Sequence, residues 1–446
     1  MRGNGDSWRK YRWHWKCAEK TVLTEKLIHY FRQIPDYRCG REKRHDLGEM
    51  LVCVTLGFLC GRTTIRRSLK WCKTHLEELR KHMNLKYGIA SPSTITRMLN
   101  GIDEELALYA FMEWIGEIVE SRNTHLAIDG KALCGATEKT KGETTPMLLN
   151  VVETVRGLIL AQLPVDSKTN EITAIPELLK LLDISVSIVT IDAVGTQTAI
   201  MEQIHEQGGH FVLTVKKNQP EAYEEIHTFM DKLGAEDLKR KKGEAMDPGM
   251  KEFLEKYEEI SQMEKNRDRN EYRTCQICKD ASNLTKSQKE WPHVQSIGRI
   301  KQVRIPKEKD SQGNDVTPSK EEFLEKGSRR IPAPSAGEGA GKDVQCTALI
   351  SDLILTAEEL GSIKRMHWSI ENRLHHVLDD TFREDRSPAK KSRNNLSLIR
   401  KYAYNILRLA MYETGLANIM TEMMDCFCDN AALRERYVFQ GIASLY

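Results

Sequence analysis

Apolar runs of strand length and amphipathic helical runs alternate between residues 122 and 220, in an order that few folds accept. Three strands are predicted first, in "HLAIDGKAL", "PMLLNVVETV" and "GLILAQLPV". A helix in "TAIPELLKLLD", a strand in "VSIVTIDAV", a helix in "AIMEQIHEQGG" and a strand in "HFVLTVKKNQ" follow. This order predicts an α/β fold in which helices pack against a mixed sheet.

Length and composition leave room for further domains around that sheet. The chain has 446 residues, 40% hydrophobic and 29% charged, which is enough for two or three domains with their own cores. Its net charge of +3 is too small to identify a partner. The eleven cysteines are scattered and no secretory signal opens the chain, so we expect a cytoplasmic protein with reduced thiols.

No stretch of the sequence is suited to a membrane. The longest apolar run, "MLVCVTLGFLCG", has only twelve residues and predicts a buried helix rather than a membrane span. We therefore expect no membrane partner.

Changes in sequence character divide the chain into five segments. We expect a loosely ordered basic leader over 1–33, a small all-α domain over 34–121, the first part of the mixed-sheet core over 122–220, a charged insertion with strands over 221–345, and the last part of the core with a helical tail over 346–446.

The helical segment 34–121 carries basic residues in a pattern that could meet nucleic acid. "TTIRRSLKWCKTHLEELRKHM" predicts an amphipathic helix that leaves Arg66 and Arg67 free for solvent or phosphate. "SPSTITRMLN" predicts a short helix with Ser91 as N-cap, Pro92 at its first position and Arg97 on its surface. Helix, turn and capped helix fit a helix-turn-helix, and an ordinary helical bundle is an equal alternative.

Two aspartates stand at matching positions in the predicted sheet. Asp129 follows "LAI" and Asp192 follows "VTI", each where the chain leaves a strand. Open α/β sheets bind ligands at such strand ends, and two converging carboxylates repel each other unless a divalent cation lies between them. Either aspartate alone could instead be a turn former or helix cap.

A third carboxylate lies on the helix predicted in "MHWSIENRLHHVLDDTFRED". His367, Glu371 and His375 are spaced i, i+4 and i+8 and should share one stripe beside core-type leucines, so Glu371 would need a partner cation. Together with the aspartates it could complete a site for two metal ions. The spacing is not the HExxH of zinc peptidases. "CQIC" and "CFC" could supply zinc ligands, but Cys275 fits a small buried residue better.

Six stretches together resemble the insertion-sequence (ISAs-type) DDE transposases of the ribonuclease H-like superfamily: "IPDYRCGREKRHDLGEML", "LAIDGKALCGA", "SKTNEITAIPELLKLLD", "IVTIDAVGTQ", "FVLTVKKNQP" and "RMHWSIENRLHHVLDDTFRED". The resemblance implies that Asp129, Asp192 and Glu371 are the catalytic, metal-binding DDE residues, and that Arg365, Asn372 and Arg373 lie near transposon-end DNA. Lys216, Asn218 and Gln219 could hold a phosphate and a base edge, or form only a polar loop, and we also expect Lys131 and His367 at the DNA.

The activity implied is cleavage at insertion-sequence ends and strand transfer into target DNA. Two Mg²⁺ ions would serve as cofactors, with Mn²⁺ as a substitute. The implied partners are terminal inverted repeats and target duplex bound by a homodimer in the nucleoid-associated cytoplasm. A catalytically silent DNA-binding descendant and a metal-dependent nuclease without strand transfer remain alternatives.

Overall fold

A computed structural model describes residues 25–38, 43–133, 145–165, 171–265, 269–284, 291, 293–306, 308–309, 315–316, 344–443 and 445. Most of the expected leader, up to residue 24, and the stretch "IPAPSAGEGAGK" lie outside the described residues. The last seven residues of that leader form a regular helix with a buried apolar face, so this part of the leader is ordered.

The α-helices of the described ranges are α1 (Leu27–Gln33), α2 (Leu47–Leu59), α3 (Ile65–Thr74), α4 (Leu76–Leu79), α5 (Pro92–Gly101), α6 (Glu104–Gly116), α7 (Glu171–Lys180), α8 (Thr198–Glu206), α9 (Pro220–Lys242), α10 (Lys251–Glu255), α11 (Ala357–Ile370), α12 (Arg393–Thr414), α13 (Met420–Asp429) and α14 (Ala431–Arg434). The strands are β1 (His125–Ala132), β2 (Met147–Glu153), β3 (Leu158–Val165), β4 (Ile188–Ile191), β5 (His210–Val215), β6 (Tyr257–Lys265), β7 (Arg269–Cys278), β8 (Ser296–Pro306), β9 (Glu308–Lys309), β10 (Asp315–Val316) and β11 (Val344–Ser351).

Side-chain caps set the starts of the N-terminal helices. The Thr64 hydroxyl accepts the Arg67 N–H at the start of α3, and the Ser91 hydroxyl accepts the Thr94 N–H at the start of α5, where Pro92 takes the first helical position. Each cap satisfies one of the N–H groups that a helix leaves unpaired at its first turn. The predicted capped helix at Ser91 is confirmed.

The chain divides into two compact units. Unit 1 comprises Met1–Ser121, Gly130–Thr169 and Glu371–Tyr446, and unit 2 comprises Arg122–Asp129 and Asn170–Ile370. The segments of each unit are distant in sequence, so each core forms only when non-local segments meet.

Two buried helices form the centre of unit 1. Every residue of α2 is buried, as its unbroken apolar sequence predicts, and α12 packs against it with most of its own surface buried. The N-terminal helices therefore share their core with the C-terminal ones. A polar bond reinforces this contact, because the Asn395 amide donates to the carbonyls of Leu99 and Ile102.

Unit 1 also contains the antiparallel pair β2 and β3, with β2 between β3 and the end of β1 in the strand order. Gly157 closes the predicted turn with φ +74°, a conformation that glycine adopts at little cost. At the β3 edge the Asn405 side chain on α12 accepts the Ile159 N–H at 2.9 Å and donates to the Ile159 carbonyl at 2.8 Å. The amide thus takes the place of a neighbouring strand.

Unit 2 is built on a mixed sheet with strand order β1-β4-β5-β11-β8-β7-β6. The first three strands are parallel, and each later strand is antiparallel to its neighbours. The expected α/β class, with helices packed against a mixed sheet, is confirmed.

The charged insertion contributes to this sheet. Strands β6, β7 and β8 extend it beyond β11, and β7 and β8 contain the predicted runs "NEYRTCQI" and "VQSIGRIKQVRI". Helix α9 at the start of the insertion was not predicted, because its dense charge hid a helical apolar stripe. That stripe is buried and consists of Ala222, Ile226, Phe229, Met230 and Leu233.

Helix α11 packs on one face of the unit 2 sheet. Leu360 and Ile363 join a buried apolar cluster with Val212, Ile300 and Leu349 from three of the strands. The close approach requires Gly298 on β8, where a Cβ atom would lie 2.2 Å from the Leu360 Cδ2. The helix that precedes Glu371 is therefore held against the sheet by shape as well as by apolar burial.

We predict that Asn405→Leu destabilises the protein by about 2 to 5 kcal/mol, because both backbone groups of Ile159 would be left buried and unpaired. Urea unfolding monitored by circular dichroism measures the change. Asn418→Leu, at an exposed position just beyond α12, is the matched control and should change stability by less than about 0.5 kcal/mol. Equal effects of the two substitutions would contradict the pairing role.

Candidate active site

Asp129 and Asp192 occupy neighbouring positions at one edge of the unit 2 sheet. β1 and β4 are parallel with Ile128 opposite Ile191, so the residue after each partner is one of the aspartates. Paired strands lie about 4.8 Å apart, which brings the two side chains within reach of one small ligand. Both residues are partly exposed. The neighbouring strands assumed in the sequence analysis are therefore present. The expected strand end is found only for Asp192, because β1 continues to Ala132 and Asp129 lies within it.

A lysine is bound to one of these aspartates. The Lys216 ammonium, just after β5, lies 2.7 Å from the Asp192 carboxylate, and its side chain is 53% exposed. Burial alone would raise the pKa of Asp192, but the Lys216 hydrogen bond and charge hold it below its usual value. Asp192 is thus ionised and already binds a cation.

A second lysine, missed in the sequence analysis, faces the same pair from α11. Lys364 is buried and donates to the Thr214 hydroxyl at 2.8 Å. Burial lowers the pKa of Lys364 to about 8, opposed by the charges of Asp192 and Asp129. Its position three residues before His367 was the available signal, since both residues lie on the helix face toward the sheet.

Glu171 is a further acidic residue of this region that was not singled out. It is the first residue of α7. Burial, followed by the charge of Asp192, raises the pKa of Glu171. The region around Asp192 therefore holds a further carboxylate that the sequence analysis did not include.

Glu371 does not share the environment of the helix that precedes it. His367 is buried, whereas Glu371 is exposed, and a wider π-helical turn spans Glu371–His375. That turn changes the angular step per residue, so the i, i+4, i+8 stripe is not maintained. The expectation that Glu371 is buried beside leucines and needs a partner to offset burial was wrong.

Lys131 was expected at the DNA, but its ammonium is enclosed within unit 1. It lies 2.5 Å from Asp379, 3.2 Å from Glu384 and 3.6 Å from Asp385, and its side chain is 4% exposed. Burial would lower the pKa of Lys131, but these carboxylates raise it overall. A buried lysine with three acidic neighbours has no free face for a phosphate, so its expected DNA contact was wrong.

His367 is also turned inward. Its Nδ1 lies 3.0 Å from the Thr190 hydroxyl, and burial, with the nearby charge of Lys364, lowers its pKa well below the usual value. A neutral, buried imidazole cannot supply charge to a DNA backbone. The expected DNA contact of His367 was therefore wrong.

The other side chains expected at the DNA differ in whether they already form hydrogen bonds or ion pairs within the protein. Asn218 and Gln219 donate their amides to the carbonyls of Ala193 and Thr196, which supports the polar-loop alternative. Arg365 is paired with Gln262 and Glu264, although 41% of its side chain is exposed. Asn372 and Arg373 are exposed.

The basic residues of α3 and α5 are exposed. We call them the basic set: Arg66, Arg67, Lys70 and Lys73 on α3, and Arg97 on α5. Leu69 and Trp71 of α3 are buried, so the helix is amphipathic as predicted. The set is free for contact with an anionic partner.

No cluster of three or more His, Cys, Asp or Glu side chains is arranged to hold a metal ion within the ranges that the structure describes. Cys275 is buried in β7, as expected for a small buried residue. Among the described helices, none has the length and apolar content needed to cross a membrane.

Two family profiles match this chain. The one described as "Transposase DDE domain" matches residues 120–406, and the one described as "DDE_Tnp_1-associated" matches residues 28–115. The first match includes Asp129, Asp192 and Glu371, and the second includes the basic set on α3 and α5.

The chain is also similar to proteins of Escherichia coli over most of their length. The chain is 28% identical to the "H repeat-associated putative transposase YhhI" of Escherichia coli K12, over 86% of this chain and 90% of that protein. It is 28% identical to the "Putative transposase YncI" of E. coli O157:H7, over 86% and 87%. A solved piggyBac transposase synaptic complex with hairpin DNA matches at 10% identity, over 91% of this chain and 77% of that one, with a TM-score of 0.38.

We predict that the stability of the protein falls below pH 6.5 partly through His125 in β1. Burial and the charge of Lys364 lower the pKa of His125 to about 3. The unfolded state therefore takes up a proton near pH 6.5 while the folded state does not, so stability is lost as the pH falls. The loss between pH 7.5 and 5.0 is about 2 kcal/mol.

Urea unfolding at pH 7.5 and 5.0 measures that loss. His125→Gln cannot be protonated and should reduce the difference between the two pH values by this amount. An unchanged difference in the variant would contradict the buried, neutral state of His125.

Proposed function

The chain belongs to the DDE transposase family, and from this premise we propose that Asp129, Asp192 and Glu371 are its three catalytic carboxylates. The enzyme is a DDE-type DNA transposase. The specific reaction we propose is cleavage at the ends of its insertion sequence, followed by transfer of the freed 3′-hydroxyl into target DNA. In both steps an oxygen nucleophile, first water and then the freed 3′-hydroxyl, attacks a phosphodiester of DNA and displaces a 3′ oxygen of the strand. One site can therefore serve both.

The observation that carries this assignment is the register of β1 and β4. Two aspartates that follow opposite residues of adjacent parallel strands form a pair of oxygen donors, with Asp129 within β1 and Asp192 just after β4. Glu371 is the first residue after α11, and α11 packs on the sheet that contains both strands. The third carboxylate thus follows directly from an element anchored beside the pair.

The donors fit a divalent cation of the magnesium type. All three are carboxylates, the ligands that Mg²⁺ and Mn²⁺ prefer, and the Asp192 carboxylate is already paired with the positive charge of Lys216. We propose that the three carboxylates hold two Mg²⁺ ions, with Mn²⁺ as a substitute. Such ions, when bound, supply an activated water and neutralise charge on the attacked phosphate.

The lysines beside the carboxylates have separate tasks. Lys216 is half-exposed and can exchange its contact with Asp192 for a phosphate oxygen of the DNA. Lys364 is buried and tied to Thr214, so it stays in place and offsets the negative charge of the aspartates. The chain therefore provides one mobile and one fixed cation at the site.

We propose that the basic set on α3 and α5 binds the terminal inverted repeats. Arg66 and Arg67 point to solvent on an amphipathic helix, and Arg97 lies on the next capped helix, which is an arrangement suited to a groove and its flanking phosphates. We propose that Arg373 and Asn372, which are exposed directly after Glu371, contact the DNA near the cut. We further propose that a homodimer pairs the two ends and acts on nucleoid DNA.

We predict that Asp129→Asn, Asp192→Asn and Glu371→Gln each abolish cleavage of a labelled terminal-repeat duplex in Mg²⁺, because each removes a negative ligand. DNA affinity, measured by anisotropy in the absence of a divalent ion, should change less than about threefold, since no phosphate contact is lost. Asp425→Asn, at an exposed position on α13, is the matched control and should keep full activity.

The products separate the alternatives. Adding a supercoiled target plasmid should give joined products with the wild-type protein. Nicking without joining would indicate a nuclease, and binding without cleavage would indicate a silent DNA-binding descendant. Cleavage retained in Asp129→Asn would refute the carboxylate assignment.

We predict that Arg66→Ala with Arg67→Ala weakens terminal-repeat binding and flattens its salt dependence. Each lost phosphate contact reduces the slope of log affinity against log salt by about 0.9. Fluorescence anisotropy from 50 to 300 mM salt measures it. Lys241→Ala with Lys242→Ala, at the exposed end of α9, makes the same change in charge and should keep the slope. Equal slopes for wild type and the α3 variant would contradict the proposed interface.

Arg97 tests whether the same surface reads sequence. If it contacts a guanine edge, Arg97→Ala should reduce the preference for terminal-repeat over random duplex by about 1 to 3 kcal/mol. A uniform loss of affinity for both duplexes would indicate a phosphate contact instead.

A further inference from the structure

Three buried polar side chains meet at one point inside unit 2. The Thr190 hydroxyl lies 3.0 Å from Nε2 of His125 and 3.0 Å from Nδ1 of His367. The three side chains come from β4, β1 and α11, and all are buried. We call these three residues the His–Thr–His junction.

The Thr190 hydroxyl can use all three of its hydrogen-bonding sites in this junction. Thr190 Oγ1 donates its one proton to the Leu126 carbonyl at 3.3 Å and can accept two more hydrogen bonds. Both imidazoles then donate, His125 through Nε2–H and His367 through Nδ1–H. Burial together with the charge of Lys364 lowers the pKa values of both histidines, which keeps both rings neutral. The junction therefore has one defined set of tautomers.

Each member stands at a short, fixed distance along the chain from one of the proposed catalytic carboxylates. His125 precedes Asp129 by four residues on β1, Thr190 precedes Asp192 by two on β4, and His367 precedes Glu371 by four. The junction joins the three elements that lead into the three acids, at a point inside the protein rather than at the site itself.

Apolar packing alone would not fix these elements as narrowly. Leu360 and Ile363 hold α11 against the sheet, but apolar contacts are non-directional and tolerate a small slide or rotation. Hydrogen bonds weaken steeply when their angle or distance changes, and a buried N–H left without an acceptor is costly. The Lys364 bond to Thr214 adds a second directional tie, between α11 and β5.

We infer that the His–Thr–His junction is a positioning device that fixes β1, β4 and α11 within unit 2, and so the placement of Asp129 and Asp192 for metal binding and of the helix end that precedes Glu371. The inference rests on the proposed function of those carboxylates. The three junction residues act through the elements on which the acids stand.

Matched substitutions can test whether the hydrogen bonds of the junction, rather than the shapes of its side chains, are required. Thr190→Val keeps the shape of the side chain and removes the shared acceptor. His367→Leu and His125→Leu remove one donor each. His367→Asn restores a donor where Nδ1 stood, and His125→Gln restores one where Nε2 stood. His227→Leu is the control, because His227 is a partly buried histidine of unit 2 whose Nε2 has no hydrogen-bond partner.

The first readout is Mn²⁺ binding to the protein without DNA, measured by electron paramagnetic resonance. Thr190→Val and His367→Leu should weaken Mn²⁺ binding about 10- to 100-fold, the range typical when residues behind metal ligands are removed. His367→Asn should recover most of the loss, and His227→Leu should bind as wild type. Each variant is assayed at least 15 °C below its own melting temperature, so that loss of fold does not contribute.

The second readout is the Mg²⁺ dependence of terminal-repeat cleavage. The valine and leucine variants should need correspondingly more Mg²⁺ for half-maximal rate, with unchanged DNA affinity. Variants that melt earlier but keep wild-type Mn²⁺ affinity and Mg²⁺ dependence would show a merely structural junction and overturn the inference. If Asp129→Asn leaves Mn²⁺ binding and cleavage intact, the proposed function fails first, which is a distinct result.

Discussion

The parallel pairing of β1 with β4 is the constraint on which the rest of the site depends. With Ile128 opposite Ile191, the next residue of each strand segment is an aspartate, so the two carboxylates stand at the same level. A shift of one residue in this register would move one side chain to the opposite face of the sheet and separate the pair. The strand residues before both aspartates are enclosed, and Thr190 on β4 bonds His125 and the Leu126 carbonyl on β1, which opposes such a shift.

In both units, buried polar groups form directional hydrogen bonds between elements that apolar contacts alone would hold less narrowly. In unit 2 the histidines and Thr190 join three elements, and Lys364 joins α11 to β5. In unit 1 the Lys401 ammonium bonds the side-chain oxygens of Asn150 and Gln162, and burial, opposed by Glu384, lowers the pKa of Lys401 to about 7. Such groups are costly to bury unless paired, so they favour a single arrangement of their elements.

The sequence predicted the parts of the fold that follow a simple period. Strands β1 to β5, the capped helix after Ser91 and the buried α2 all repeat apolar residues with periods of two or nearly four, or without interruption. Helix α9 was missed because charged residues cover its outer face and hide Ile226 and Met230 among them. A charge-rich run can therefore contain a helix with a fully apolar inner stripe.

Individual side-chain environments were harder to predict than elements. Lys131 follows an aspartate two residues earlier and looked available to DNA, yet three carboxylates from a distant segment enclose it. Glu371 looked buried by helical arithmetic, but the π-helical turn that begins at this residue places it in solvent. Lys364 and Glu171 were not singled out, because their effect on Asp192 arises only after folding. These outcomes depend on non-local contacts, which periodicity and spacing do not encode.

The central claim is that Asp129, Asp192 and Glu371 jointly hold divalent ions. The most direct measurement is anomalous diffraction at the manganese edge from crystals of the protein with Mn²⁺ and terminal-repeat DNA. The account predicts anomalous peaks within about 2.0 to 2.6 Å of carboxylate oxygens from all three residues. Peaks bound by the two aspartates with Glu371 turned away, or peaks only at other acidic residues such as Asp379 and Asp385, would contradict it.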